Sequence, residues 1–142
     1  VELQRAGHPE VTFEVIAADE PIELACDGRK LAQALTNVLQ NAAQAIGEAG
    51  MTSGRVTTTV ASTGPEVRIT VADNGPGWPD ADPHRFTEPY VTARRQGTGL
   101  GLAIVKRIMD EHGGRLLLST PAGGGAAVTL AFAARALDSV AA

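Results

Sequence analysis

The stretch Gly97-Thr98-Gly99-Leu100-Gly101-Leu102-Ala103-Ile104-Val105 constrains this chain more than any other. Glycines alternate with other residues and then pass without a break into an apolar helical run. Glycine takes backbone angles that other residues avoid and lets another group come close to the main chain. A helix that starts on such glycines aims unpaired N–H groups and its positive dipole end at whatever lies above them. An anion is the usual occupant of that position. Glycine turns ahead of helices are also common as plain connections, so the rest of the chain decides between the two readings.

With 142 residues, 44% apolar and 20% charged, the chain has the size and balance of one globular domain with a two-layer core. A net charge of -4, with basic residues adjacent only at Arg29-Lys30, Arg94-Arg95 and Lys106-Arg107, argues against a general nucleic-acid binder. No apolar run reaches the ~18 residues of a membrane span, and no signal peptide opens the sequence. Cys26 is the only cysteine, so an internal disulfide is excluded and a reducing, cytoplasmic setting is expected. Residues 1–10 read as the remnant of a linker from a longer protein, 11–134 as the domain, and 135–142 as a tail.

Val11 to Ile16 alternates as a strand does, and Ile22 to Ala25 predicts a second short one after Pro21. Asp27 stands where an N-cap belongs, ahead of a helical pattern from about Gly28 to Ala49. Leu31, Ala34, Leu35, Val38, Leu39, Ala42, Ala45 and Ile46 share its apolar face. The opposite face carries Lys30, Gln33, Asn37, Gln40, Gln44 and Glu48, with Asn41 at the border. Asn is unfavourable within a helix because its side chain competes for backbone hydrogen bonds. Two of them one turn apart suit a face that meets something other than water.

Arg55 to Ala61 and Glu66 to Ala72 predict an antiparallel hairpin, the second strand alternating cleanly and ending in Asp73-Asn74-Gly75-Pro76-Gly77. From Trp78 to Gln96 the prolines at 79, 83 and 89 leave no regular element, and a stretch of this length reads as a lid or binding loop. A helix is expected from about Leu100 to His112, with Ala103, Ile104, Val105, Ile108 and Met109 inward and Gly113-Gly114 as its stop. Arg115 to Thr120 and Ala126 to Ala133 predict a closing hairpin around Pro121-Ala122-Gly123-Gly124-Gly125. Helices interleaved with antiparallel strands give an α+β class, with helices on one face of the sheet. The Rossmann and Walker phosphate patterns are both absent.

Four segments, in this order, resemble the ATP-binding catalytic domain of bacterial sensor histidine kinases, in the GHKL or Bergerat-fold superfamily. Asp27 to Ile46, with Gln33 to Ala42 within it, resembles the N box, Asp73 to Gly77 the G1 box, Phe86 to Tyr90 the F box, and Gly97 to Leu102 the G2 box. The wording Asn41-Ala42-Ala43-Gln44-Ala45-Ile46 and Glu88-Pro89-Tyr90-Val91-Thr92 is similar to nitrogen-regulatory kinases of the NtrY and NtrB type. The resemblance implies a two-layer α/β sandwich, a mixed and mostly antiparallel sheet covered on one face, and a flexible ATP lid.

It also implies roles. Asn41 would give a side-chain oxygen to Mg²⁺, with Asn37 contacting phosphate or metal-bound water. Asp73 would accept a hydrogen bond from the adenine amino group, with Gly75 and Gly77 letting the chain pass close to the base. Gly97, Thr98, Gly99, Leu100, Gly101 and Leu102 would line the phosphates, and Arg94 or Arg95 would meet the γ-phosphate. Gln44, Tyr90 and Thr92 complete the implied nucleotide site. ATP-hydrolysing relatives carry Glu where Asn37 stands; Asn cannot act as a general base, so the resemblance implies a kinase.

The acceptor histidine of such kinases lies on a helix and is followed by an acidic residue. His8, His84 and His112 do not fit that pattern. The implied partners are therefore the dimerisation and phosphoacceptor helices of a parent kinase and a response regulator. Neither nucleic acid nor membrane contact is expected, and the isolated domain is expected to be monomeric. An anti-sigma-type serine kinase and a nucleotide-binding pseudokinase are the alternatives on the same fold.

Overall fold

The computed structural model describes residues 11–16, 28–63, 65–78, 83–87 and 101–133. Among them are five strands, β1 (Val11–Ile16), β2 (Gly54–Thr63), β3 (Glu66–Asp73), β4 (Arg115–Ser119) and β5 (Ala127–Ala133). Two helices, α1 (Gly28–Glu48) and α2 (Gly101–Glu111), and a 3₁₀ helix (Pro83–Thr87) complete the set. The strands form one sheet in the order β1-β2-β3-β5-β4. Only β1 and β2 pair in parallel among these strands, and the remaining neighbours are antiparallel. A parallel pair needs a long crossover, and α1 lies within the one that joins β1 to β2. The expected α+β class and mixed, mostly antiparallel sheet are therefore found.

Among the described residues both helices lie on one face of the sheet. Phe13, Val56, Ile69, Val71, Leu118, Val128, Leu130 and Phe132 pack with Ala34, Val38, Leu39, Ala42, Ala43 and Ile46 of α1 and Leu102, Val105, Ile108 and Met109 of α2. Residues of opposite parity, such as Thr59, Thr70 and Thr129, meet side by side on the other face by register. The Thr70 and Thr129 hydroxyls lie 3.0 Å apart there. At the margins of that face Arg55 pairs with Glu14, and Glu66 with Arg68 and Arg115. The Arg115 bond reaches over β5, where Ala131 is opposite both arginines in register.

The buried arc of α1 is wider than its pattern predicts. Ala43, left off the expected face, is fully buried, whereas Ala45 is only half-buried. At 100° per residue the arc from Ala34 to Ala43 covers about half the circumference. Alanine pattern alone does not mark that edge, because Ala suits buried and exposed helix positions alike. Leu102 is buried too, whereas Ala103 and Ile104, expected inward, are half-buried. Each helix is closed by a left-handed glycine. Gly50 (φ 71°) and Gly113 (φ 68°) follow α1 and α2, with Met51 N–H donating to Ile46 O and Gly114 N–H to Met109 O.

The expected absence of regular structure from Trp78 to Gln96 is corrected at Pro83–Thr87. These residues form the 3₁₀ helix, which packs on α2 and β4 and is tied by Thr87 Oγ1 donating to His84 O at 2.7 Å. Proline suits the first turn of a helix, where its missing N–H would have no partner in any case. The expected strand over 22–25 lies outside the described residues. No helix among the described residues is long and apolar enough to cross a membrane.

A Cβ added at Gly54 would lie 2.4 Å from Ile46 Cγ2, a branched and fully buried side chain. Gly54→Ala should therefore cost about 1–3 kcal/mol in urea unfolding, and less in an Ile46→Ala background where the obstructing methyl is gone. The guanidinium of Arg115, and secondarily that of Arg68, holds the Glu66 carboxyl below its ordinary value of 4.5. A depressed carboxylate stabilises the fold above its unfolded value and loses that contribution as pH falls through the folded one. Unfolding curves of Glu66→Gln should consequently depend less on pH below 4.5 than those of the parent chain.

Candidate nucleotide-binding site

The longest helix carries the polar border first noted in the sequence. Asn37 and Asn41 are half-buried, while Gln33, Gln40 and Gln44 on the same side are exposed. Asn37 Nδ2 lies 3.5 Å from Gly101 O, the first residue of α2, across 64 positions of sequence. The amide stripe of α1 and the glycine-led start of α2 are thus neighbours. Gly101 and Leu102 begin α2, but the Leu102 side chain is in the core, so what it offers a ligand is its main chain. Gln44 stays on the exposed side of α1.

At the other end of α1 lies the turn after β3. Asp73 Oδ1 accepts from Gly75 N–H at 2.9 Å and from Ala126 N–H at 3.3 Å. The Asp73 main-chain N–H in turn donates to Ala126 O at 2.9 Å. Asn74 faces the opposite neighbour. It accepts from Arg55 N–H through Oδ1 at 2.7 Å, donates from Nδ2 to Ser53 O at 3.1 Å, and its own N–H reaches Arg55 O. A Cβ on Gly75 would stand 3.4 Å from Ile46 Cγ1, so the turn rests on the last turns of α1. Gly77 has φ +88° and backs onto Gly125 O. Both glycines named by the sequence are thus at close approaches.

The structure brings Asn37 to Gly101 and sets Asp73 and Gly75 together near the end of α1, with Asn41 half-buried one turn beyond Asn37 and Gly77 backing onto Gly125. From Asn37 to Ile46 is nine residues, about 14 Å along the axis. Tyr90, Thr92, Arg94, Arg95, Gly97, Thr98, Gly99 and Leu100 lie outside the described residues. One contributor was missed. The 121–125 segment, read from the sequence only as a hairpin turn, packs directly on Asp73: a Cβ at Gly125 would sit 2.0 Å from Asp73 O. Its signal in the sequence is three successive glycines, more than a hairpin turn requires. Trp78 also closes on this hairpin, donating from Nε1 to Ser119 O at 2.8 Å.

An α+β sheet with both described helices on one face, an amide-lined helix meeting the glycine-led start of a second, and a carboxylate fixed at a strand end define a nucleotide-binding module of the Bergerat type. The family model described as "Histidine kinase-, DNA gyrase B-, and HSP90-like ATPase" matches residues 26–136, and the chain belongs to that family. It is 44% identical over 138 residues to the nitrogen regulation protein NtrY of Azorhizobium caulinodans, covering 93% of this chain and 18% of that protein. The mycobacterial sensor histidine kinase MprB superposes with a TM-score of 0.81 at 30% identity, over 93% of this chain and 89% of that one. The full-length ShkA structure in complex with AMPPNP gives 0.74 at 28% identity, over 92% of this chain and 28% of that one. MprB is named a sensor histidine kinase, and the chain corresponds to the ATP-binding catalytic domain of such kinases while spanning under a fifth of NtrY's length.

Asn74 makes two side-chain bonds that stitch the turn to the start of β2. Asn74→Ala should lower unfolding stability by about 1–2 kcal/mol, read by chemical denaturation, since partly exposed hydrogen bonds contribute about 0.5–1.5 kcal/mol each.

Proposed function

We propose that this chain binds Mg-ATP and transfers its γ-phosphoryl group to a histidine on a separate dimerisation and phosphoacceptor domain. The observation that carries this is Asn37. It stands one turn before Asn41, half-buried, with its amide at the start of α2. An amide has no basic lone pair with which to take a proton from water, so the position that would activate a hydrolytic water is filled by a group that can only orient. Histidine as acceptor needs no such base, because imidazole is nucleophilic near neutral pH.

The residue types along α1, at the turn after β3 and at the start of α2 would suit a nucleotide. The Asp73 carboxylate, oriented through Oδ1 by two N–H groups, would accept from the exocyclic amino group of adenine. Guanine presents a carbonyl at that place and would be rejected by repulsion and an unpaired acceptor. Asn41 would hold Mg²⁺ through one amide oxygen, with water and phosphate oxygens completing the shell, as suits a small hard ion that gives up water reluctantly. The ion neutralises charge on the phosphates. Gly101 and Leu102 would present main-chain N–H groups at the start of α2, continuing a cradle from Gly97, Thr98, Gly99 and Leu100. Arg94 or Arg95 would meet the γ-phosphate, and Gln44, Tyr90 and Thr92 would border the nucleotide.

The two histidines among the described residues suit other roles. His112 follows α2 with Nδ1 2.8 Å from Ile108 O, and His84 is exposed on the 3₁₀ helix. The acceptor is accordingly a partner domain, and a response regulator receives the phosphoryl group next. Residues 11–134 are the catalytic unit, working as a monomer on the cytoplasmic side, where ATP is available.

Calorimetry on the 142-residue chain should show ATP binding that Asp73→Asn weakens by about 10- to 100-fold, the range for a hydrogen bond to a charged group. Mixed with a histidine-bearing acceptor domain of an NtrY-type kinase, the chain should form acid-labile phosphohistidine. Acid-stable phosphoserine, or phosphate release to water without an acceptor, would overturn the assignment.

A further inference from the structure

We infer that the 121–125 turn is a positioning element for the Asp73 carboxylate, and that Gly125 and the Ala126 main chain set how strongly the site prefers a purine bearing a 6-amino group. This rests on the reading of Asp73 as the acceptor for adenine, and it concerns residues that do not touch the base.

The contacts around Asp73 carry the inference. Ala126 meets Asp73 twice, its O accepting from the main-chain N–H at 2.9 Å and its N–H donating to Oδ1 at 3.3 Å. Gly125, at φ +89°, has no room for a side chain: a Cβ would lie 2.0 Å from Asp73 O and 3.3 Å from Asn74 Cα. Gly77, on the far side of the Asp73 turn, approaches Gly125 O so closely that its own Cβ would stand 3.2 Å away. Trp78 Nε1 then ties the same turn to Ser119 O at 2.8 Å, on the other arm of the hairpin. The turn itself is closed by Gly124 N–H donating to Pro121 O at 2.9 Å.

A hairpin needs none of this to reverse direction. Ala127 pairs with Ala72, and Ala126 carries that ladder one rung further to Asp73; beyond it residues 120–125 form a loop long enough to stand clear of β3. Instead it is folded back so that main chain rests on main chain, possible only where glycine supplies both the positive φ and the missing Cβ. The effect falls on the carboxylate. An Asp side chain at a strand end has two free torsions. Here Gly75 N–H and Ala126 N–H hold Oδ1 from two different segments, which fixes the direction in which the group can accept.

The test is a ratio of affinities. ATP is compared with purine riboside 5′-triphosphate, which lacks only the 6-amino group, by calorimetry on the 142-residue chain and on Gly125→Ala. The parent should prefer ATP by about tenfold or more, and Gly125→Ala should reduce that preference to within about twofold. Affinity for the amino-free analogue should change little. In an Asp73→Asn background the same substitution should leave the ratio where it is, because the acceptor it positions has already been altered. A Gly125→Ala protein that loses affinity for both ligands equally, with the ratio kept, would assign the turn a purely structural role and overturn the inference. A parent chain that binds ATP without preferring it would overturn the adenine reading of Asp73 and the inference with it. Should Gly125→Ala fail to fold, Trp78→Phe keeps the packing and drops the bond to Ser119. It should narrow the preference about two- to threefold, and an unchanged ratio there counts against the inference equally.

Discussion

The arrangement depends on α1 being pinned to the rest of the molecule near its middle and near its end. Its apolar arc, about half the circumference, fixes which way the remaining side chains face. Near its middle Asn37 meets the first residue of α2, and near its end Ile46 fills the space left by glycine at 54 and 75. A rotation that moved Asn41 would expose Ile46 or drive it into Gly54. The two amides are therefore held in place by apolar packing on the far side of the same helix.

Much of this was legible in the sequence. Helix and strand boundaries followed from period and punctuation: α1 and α2 end on glycines at positive φ, and β3 ends where the Asp-Asn-Gly turn begins. The asparagine stripe stood out because Asn is unfavourable within a helix, and the strand-end carboxylate because a glycine-bearing turn follows it; Asn37 and Asp73 both lie at contacts between distant segments. What was not legible was non-local. Strand order, with β5 between β3 and β4, has no local signature. The approach of Gly125 to Asp73 joins residues 52 apart, and glycine in a turn has the same appearance whether or not another chain leans on it. Ala43 was missed because alanine leaves no trace of which side it faces, and Pro83–Thr87 because prolines were read as excluding a helix when one of them begins a short one.

The two sides of the sheet have different chemistry. The helix side is apolar and ends at Asp73, whereas the other is threonine and alanine bounded by the Glu14–Arg55 and Glu66–Arg115 pairs. Adjacent threonines pair across strands there, and Thr129 is itself buried. The ion bridge over β5 joins β3 to β4, strands that share no ladder, so the edge formed by β4 is attached by more than its own pairing.

Asp73 and Asn74 bind in opposite directions, the first to the strand on one side of β3 and the second to the strand on the other. Two consecutive residues thus act as a rivet through three strands. If Asp73 reads the base, then selectivity is a property of the sheet's end and not of one side chain.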